Sequence, residues 1–377
     1  MMGFVYKPDR NVVPHAVGQP DAELGAMASV QSSVWTINPL LDDRWPEFVN
    51  RHPYSSVFHT TGWLNALRIT YGYEPVAFTT SSPSEKLTNA LLFCVVRSWL
   101  TRGRLVSLPF TDHCEPLVEN IEQLRALCTH LETLRRTQRW KYAEMRTSDV
   151  FFTAEEHLRE CEVYRWHRLD LRSSLDALYK GFHKNCIRRR IRHAECQGLN
   201  YEEGRSESLV RSFYDLIVLS RLRKHLPPQP LEWFQNLVTC MGQDVCIRVA
   251  FRENRPVAGI LTMSHLKKMY YKYGGSDARL NNLGATPMLF WQAIQAAKSA
   301  GMEELDLGRS ELENQGLIRF KERWGAQSVR LTLWRGPTDV VSPSFERLKA
   351  RLAKTICTCV PHKMLVLAGR LMYRHVG

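Results

Sequence analysis

The chain has 377 residues, 44% hydrophobic and 24% charged, with aromatics spread throughout. That composition is a folded globular protein's, and the length exceeds one ordinary core, so two domains are expected. Lys and Arg outnumber Asp and Glu by 51 to 38, a net charge of +13, which favours polyanionic partners such as RNA, nucleotide diphosphates, coenzyme pyrophosphates or an anionic lipid surface.

Residues 1–33 carry Pro, Gly, Gln and Ser without periodicity and read as a flexible leader. Its polar start, with Lys7, Asp9 and Arg10, is unlike a signal peptide. Order is expected from Trp35. Trp45 to Asn50 reads as a short helix with Pro46 in its first turn, and Thr60 to Tyr71 as a second helix capped by Thr60 or Thr61. Val76–Thr79, Ala90–Trp99 and Arg104–Leu108 are strand-like. Ile121–Arg136 is helical, with Leu124, Leu127, Leu131 and Leu134 on one face, and Lys141–Arg146 returns as a strand.

Near Trp166 the run R-L-D-L introduces a fresh strand before a helix over 173–197. Cys246–Phe251 is a strand, the turn Glu253-Asn254 follows, and Val257–His265 with Met269–Tyr273 forms a hairpin around Lys267-Lys268. Thr286–Ala300 has helical spacing and Gly301 stands where a C-terminal cap belongs. Leu305–Leu307 then reads as a short buried strand. Three antiparallel strands, a helix and a parallel return strand make a βββαβ unit, and the first half repeats that order. The tail from Pro343 is basic and helical in pattern, with Leu348, Leu352, Ile356, Met364, Leu365, Val366, Leu367 and Leu371 as its apolar members. It reads as a helix packed on the domains or one lying on an anionic membrane surface.

Two clusters are cationic. In H-K-N-C-I-R-R-R-I-R-H (183–193), a continuous helix would align Lys184, Arg188 and Arg192 as one stripe with Arg189 beside it, while Ile187 and Ile191 face inward. Such a stripe is either a solvated face or a phosphate-binding surface. In R-F-K-E-R-W-G (319–325), Lys321 lies one turn from Trp324 and is placed to neutralise a phosphate or a developing negative charge, or else is a plain surface lysine. Asp112, in L-P-F-T-D-H-C, belongs at the carboxyl edge of a strand. Asp306, in L-D-L-G-R, is expected to pair structurally with Arg309. The chain has no P-loop, H-E-x-x-H, G-x-S-x-G or zinc-type cysteine spacing, which argues against a kinase, a metallohydrolase and a serine hydrolase. The ten cysteines show no C-x-x-C pair, and reduced thiols in the cytoplasm are the expectation.

Three blocks in order carry a resemblance: V-F-H-T-T-G-W-L-N-A-L (57–67), L-P-F-T-D-H-C-E-P-L (108–117), and the G-G-S-D…D-L-G-R-S-E…N-Q-G-L-I-R-F-K-E-R-W-G-A run. They resemble the FemAB/FemX-type proteins of the GNAT acetyltransferase superfamily, in the BioF-like, exopolysaccharide-associated branch. The basic segment 179–194 is similar to that family's basic helix. The resemblance implies an α/β fold of two tandem GNAT-like domains, with mixed, mostly antiparallel sheets flanked by helices. The expected organisation is a leader (1–33), a first domain (34–165), a second domain (166–340) and a basic C-terminal helical tail (341–377).

The resemblance implies transfer of an acyl or aminoacyl group to an amine by direct attack on an ester or thioester. Lys321 and Arg309 would lie near the oxyanion and Asp112 would orient the amine. Lys184, Arg188, Arg192, Phe320, Tyr273 and Trp63 would contact substrate. The co-substrate would be aminoacyl-tRNA or acyl-CoA, with no bound cofactor or metal. The acceptor would be an amine-bearing sugar-nucleotide or lipid-linked precursor of cell-envelope or exopolysaccharide metabolism, with the tail offering contact with the inner face of the membrane. Acyl-CoA-dependent N-acetylation is one alternative, and non-catalytic RNA or membrane-surface binding is another. A coenzyme A-binding loop of this fold reads R/Q-x-x-G-x-G/A. Here R-L-N-N-L-G-A (279–285) has Asn282 in the first glycine position, which favours aminoacyl-tRNA.

Overall fold

The structure is a computed structural model that describes residues 33–97, 103–148, 158–337 and 361–376. Most of the leader, the end of the strand predicted to reach Trp99, and the tail residues Leu348, Leu352 and Ile356 lie outside the described residues. A short strand, β1 (Trp35–Ile37), precedes α1 (Trp45–Arg51) and α2 (Thr61–Tyr71). Thr60 caps α2, its hydroxyl oxygen accepting from the Trp63 amide at 3.4 Å, and Gly72 ends it in a left-handed conformation. Strands β2 (Glu74–Thr79), β3 (Leu91–Val96) and β4 (Arg104–Val106) form an antiparallel meander. Helix α3 (Ile121–Thr137), capped by Asn120, then returns the chain to β5 (Ala143–Ser148), which is parallel to β4. Leu124, Leu127 and Leu131 are its buried face.

After β6 (Arg159–Asp170) the predicted helix over 173–197 is interrupted. Helix α4 (Leu175–Gly181) stops at Phe182, whose backbone is extended, and Lys184–Arg188 form a π turn that leads into α5 (Arg189–Glu195). The His183 amide donates to the Arg323 carbonyl at 2.9 Å, which fixes the break. The π turn also spoils the single stripe, because Arg188 is half-buried while Lys184 and Arg192 are exposed.

Strand β7 (Asn200–Gly204) leads to α6 (Glu207–Arg223) and α7 (Leu231–Met241). Three long antiparallel strands follow, β8 (Val245–Arg252), β9 (Arg255–His265) and β10 (Lys268–Ser276). Glu253 and Asn254, at φ 49° and 63°, form the two-residue turn whose twist suits a hairpin. Helix α8 (Ala285–Ser299) carries the chain to β11 (Glu304–Glu311), parallel to β10, so the expected βββαβ order is present. Helix α9 (Gln315–Glu322), β12 (Gln327–Gly336) and α10 (His362–Val376) complete the described chain.

All strands form one twelve-stranded sheet in the order β1-β2-β3-β4-β5-β12-β6-β11-β10-β9-β8-β7. Two similar arms meet at its centre by exchanging strands: β6, which follows β5 in sequence, pairs with β11, and β12, which follows β11, pairs with β5. The sequence boundary at residues 165/166 falls inside β6. Helices α1, α2, α6 and α7 bury one face, with Trp45, Trp63 and Trp233 fully inside. On the other face α4, α5 and α8 cover the second arm, and α3 covers the first. No helix among the described residues is long and apolar enough to cross a membrane.

Candidate functional site

Strands β10 and β11 start as a pair and then part. Their pairing runs only from Lys268↔Glu304 to Tyr270↔Asp306, although β10 continues to Ser276 and β11 to Glu311. Each strand has a local cause. β10 shifts register against β9 between Tyr271 and Tyr273, so Lys272 sits on a bulge. β11 shifts against β6 between Asp306 and Arg309, around Gly308 at φ 70°. An added Cβ at Gly308 would stand 3.0 Å from the Asp112 carboxyl carbon, so both backbone conformation and space require glycine there.

Where strands separate, backbone groups lose their ladder partners and need others. The Lys321 ammonium supplies two, donating to the carbonyls of Gly308 at 2.9 Å and Arg309 at 2.8 Å. Lys321 reaches them from α9, a helix started by Asn314, whose side chain accepts from the Leu317 amide. Asp306 closes the fork: its carboxylate accepts from Gly308 N (2.6 Å), Trp166 Nε1 (2.9 Å) and His113 Nε2 (3.0 Å).

The fork opens into a cleft of about 1070 Å³ lined by Asp112, Lys272, Tyr273, Arg309 and Lys321, with Tyr164 and Met372 at its walls. Asp112 comes from the loop after β4 and pairs with Lys272 at 2.6 Å. Lys272 lies over the rings of Phe58 (5.2 Å), Tyr273 (5.5 Å) and Trp63 (5.9 Å), an aromatic box that holds a cation. The Arg309 guanidinium stacks on Tyr164 at 4.5 Å.

The electrostatics follow from burial and charge. Burial raises the Asp112 carboxyl, but Lys272, helped by Arg309 and Lys321, outweighs it and brings the pKa down to about 2. Asp112 is therefore a fixed anion and a poor base. Burial lowers Lys272 against the opposing pull of Asp112. Burial also lowers Lys321 to about 8, opposed by Asp112 and Asp306. Lys272, Arg309 and Lys321 thus converge on a cleft that Arg221, Lys224 and Glu311 also line, and in which Asp112 is paired with Lys272.

The structure brings together four of the residues singled out from sequence, Lys321, Asp112, Arg309 and Tyr273. Trp63 is fully buried and stands behind Lys272, so it shapes the cleft without lining it. Phe320, one residue from Lys321, points to a separate cavity of about 310 Å³ beside the start of α8, with Arg190 and Arg323. Lys184, Arg188 and Arg192 line neither space. Asp306 pairs with His113 and Trp166, in place of the expected Arg309. Sequence reasoning assigned no role to Lys272, although a lone lysine in the aromatic run M-Y-Y-K-Y was a legible signal. Tyr164 and His113 gave none.

The start of α8 borders the cavity of about 310 Å³ with Arg190 and Arg323, but its backbone departs from a coenzyme A pyrophosphate loop. The backbone at Gly284 lies against α5, where an added Cβ would meet the Arg190 carbonyl oxygen at 2.4 Å. Asn282 lies in a closed 3-10 turn, and Pro287 removes one amide from the first turn of the helix.

The acetyltransferase (GNAT) domain family model matches residues 181–339. No curated protein matches the chain. Among solved structures, that of FemX is similar with a TM-score of 0.60 at 13% identity, covering 80% of this chain and 96% of FemX. A domain assigned as the C-terminal part of a lysylphosphatidylglycerol synthetase from Agrobacterium fabrum is similar at 0.54 and 14% identity, over 83% of this chain and 96% of that one. A tandem GNAT protein from the clavulanic acid biosynthesis pathway is similar at 0.52 and 11% identity, over 81% and 99%. Residues 181–339 thus match the GNAT acetyltransferase domain family, and the chain as a whole has a fold similar to that of FemX.

Proposed function

We propose that the protein transfers an aminoacyl group from a polyanionic ester donor of the aminoacyl-tRNA kind to a primary amine, in cell-envelope or exopolysaccharide metabolism. The observation that carries this reading is the Lys321 ammonium, anchored on the Gly308 and Arg309 carbonyls at the mouth of the forked strands. An ammonium has three N–H donors and two are used here, leaving one for the cleft. One structural neighbour is assigned to a lysylphosphatidylglycerol synthetase, which supports an aminoacyl donor.

In the mechanism, the acceptor amine attacks the ester carbonyl carbon and a C–N bond forms. The carbonyl electrons move onto oxygen, where Lys321 and Arg309 stabilise the oxyanion. Collapse breaks the C–O bond, and the departing oxygen takes the proton that the amine loses. No covalent enzyme intermediate is needed, so catalysis rests on positioning and charge. Asp112, held ionised by Lys272, orients the incoming neutral amine by accepting one of its N–H groups and does not act as the base. Transfer from acyl-CoA is the rival; Asn282 and Pro287 weigh against it, while the cavity with Arg190 and Arg323 beside α8 is where its phosphates would lie. The exposed cations Lys184 and Arg192 supply a surface for the donor's phosphates.

The test is turnover of purified protein with hydroxylamine as a generic amine. Loss of the aminoacyl ester from charged tRNA, without release of thiol from acetyl-CoA, supports the reading. Thiol release alone moves the donor to acyl-CoA. Salt-sensitive RNA binding with no turnover leaves a binding protein on a transferase scaffold.

A further inference from the structure

His113, next to Asp112 in sequence, lies on the other side of the fork and outside the cleft. It lines a chamber of about 360 Å³ that shares no lining residue with the cleft. The residue is 3% exposed and its ring stacks on Trp166, with centroids 4.2 Å apart. Its Nε2 faces Asp306 Oδ2 at 3.0 Å. A carboxylate accepts, so Nε2 carries the proton, and in the neutral ring Nδ1 is then an acceptor. Nδ1 has no protein partner, although the atom is buried, and a buried acceptor left unpaired is destabilising. The chamber's wall is aromatic, made by Trp166 and Tyr270, and its lining carries the cations Lys268, Arg168 and Arg330 with the carboxylates Glu304, Asp306 and Glu115, the last held by Ser148. Arg168 stacks on Trp166 at 4.8 Å and reaches Glu304 only at 3.7 Å, and no ion pair engages Lys268 among the described residues.

We infer that this chamber is a second ligand site, for a small carboxylic acid bearing a hydrogen-bond donor, an amino or hydroxy acid. The carboxylate meets Lys268 and Arg168, the carbon skeleton packs on Trp166 and Tyr270, and the amino or hydroxyl group donates to His113 Nδ1. The Asp306 carboxylate, saturated by Trp166, Gly308 and His113, fixes the tautomer that makes Nδ1 receptive. The site stands apart from transfer chemistry in the cleft and does not rest on it.

The experiment is calorimetric titration of the full chain with L-alanine, L-lactate, propionate and propylamine, with the imidazole nitrogens of ¹⁵N-histidine-labelled protein followed in parallel. Alanine or lactate is expected to bind at least ~10-fold more tightly than propionate or propylamine and to shift His113 Nδ1. Which of the two binds identifies the donor as amino or hydroxyl. His113→Phe keeps the stacking and should weaken binding ~10-fold or more. Should that variant unfold, Lys268→Ala, at a partly exposed position, should give a similar loss. Lys321→Ala should leave this binding intact. Equal weak binding of all four compounds, an unmoved Nδ1 signal, or loss of binding in Lys321→Ala would each overturn the assignment.

Discussion

Replacing Asp112 by Asn leaves the Lys272 ammonium in its aromatic box without a counter-charge. Lys272 has a side chain only 7% exposed, whereas that of Asp112 is 20% exposed. Removing one partner of a buried pair costs about 3–5 kcal/mol. Partial solvation of Asp112 lets water reach the site, so about 2–3 kcal/mol is expected for Asp112→Asn. Lys272→Met should cost less, because Asp112 retains Arg309 and Lys321 nearby. The double variant should recover part of the loss, giving a coupling of about 1–2 kcal/mol. Urea unfolding of the four proteins at pH 7 measures this. The acid limb supplies a check of sign. The Asp112 pKa is depressed from 3.8 to about 2, so its stabilisation is complete above pH 4 and fades as pH falls towards 2. A coupling indistinguishable from zero would refute the reasoning, because the 2.6 Å contact would then be energetically idle.

Gly308→Ala combines a left-handed backbone with a Cβ 3.0 Å from the Asp112 carboxyl carbon, so a loss of about 1–3 kcal/mol is expected in the urea midpoint with little change in slope. Gly275→Ala is harsher, since its Cβ would meet Leu216 backbone atoms at 2.5 Å. It should lower stability by about 3 kcal/mol or more, or prevent soluble expression altogether. Lys321 has two opposite pH effects. Its cation is present below its pKa of about 8 and lost above it, so stabilisation by a polyanionic donor should fall between pH 7 and 9. Because the unfolded value is higher, 10.5, the folded state binds fewer protons between 8 and 10.5, and this group alone makes the unliganded protein more stable as pH rises. Melting scans with and without tRNA across that range separate the two.

Elements set by strong local rules were legible in the sequence. The cap at Thr60, the turn at Glu253-Asn254 and the apolar face of α3 each follow from a few neighbouring residues, and the structure has them. The βββαβ order of the second arm was legible for the same reason. The break at Phe182 was not, because propensity continues through it and the tie to the Arg323 carbonyl is a tertiary bond. Strand β12 pairs with β5 across the two arms, a long-range choice that periodicity does not encode. At the candidate site, Lys321, Asp112, Arg309 and Tyr273, singled out in the sequence, line one cleft. The cleft itself depends on where β10 and β11 part, which a bulge at Lys272 and a left-handed Gly308 decide. The expected Arg309 partnership of Asp306 failed because the shift around Gly308 carries Arg309 onto Tyr164.

The most direct test of the account is protection of the purified protein by its donor. Wild type and Lys321→Ala are melted with charged tRNA, uncharged tRNA and acetyl-CoA, since a ligand selective for the native state must raise the melting temperature. The account predicts a larger rise with charged than with uncharged tRNA, and loss of that difference in Lys321→Ala. An equal rise for both tRNAs in both proteins, or a rise with acetyl-CoA alone, would contradict it.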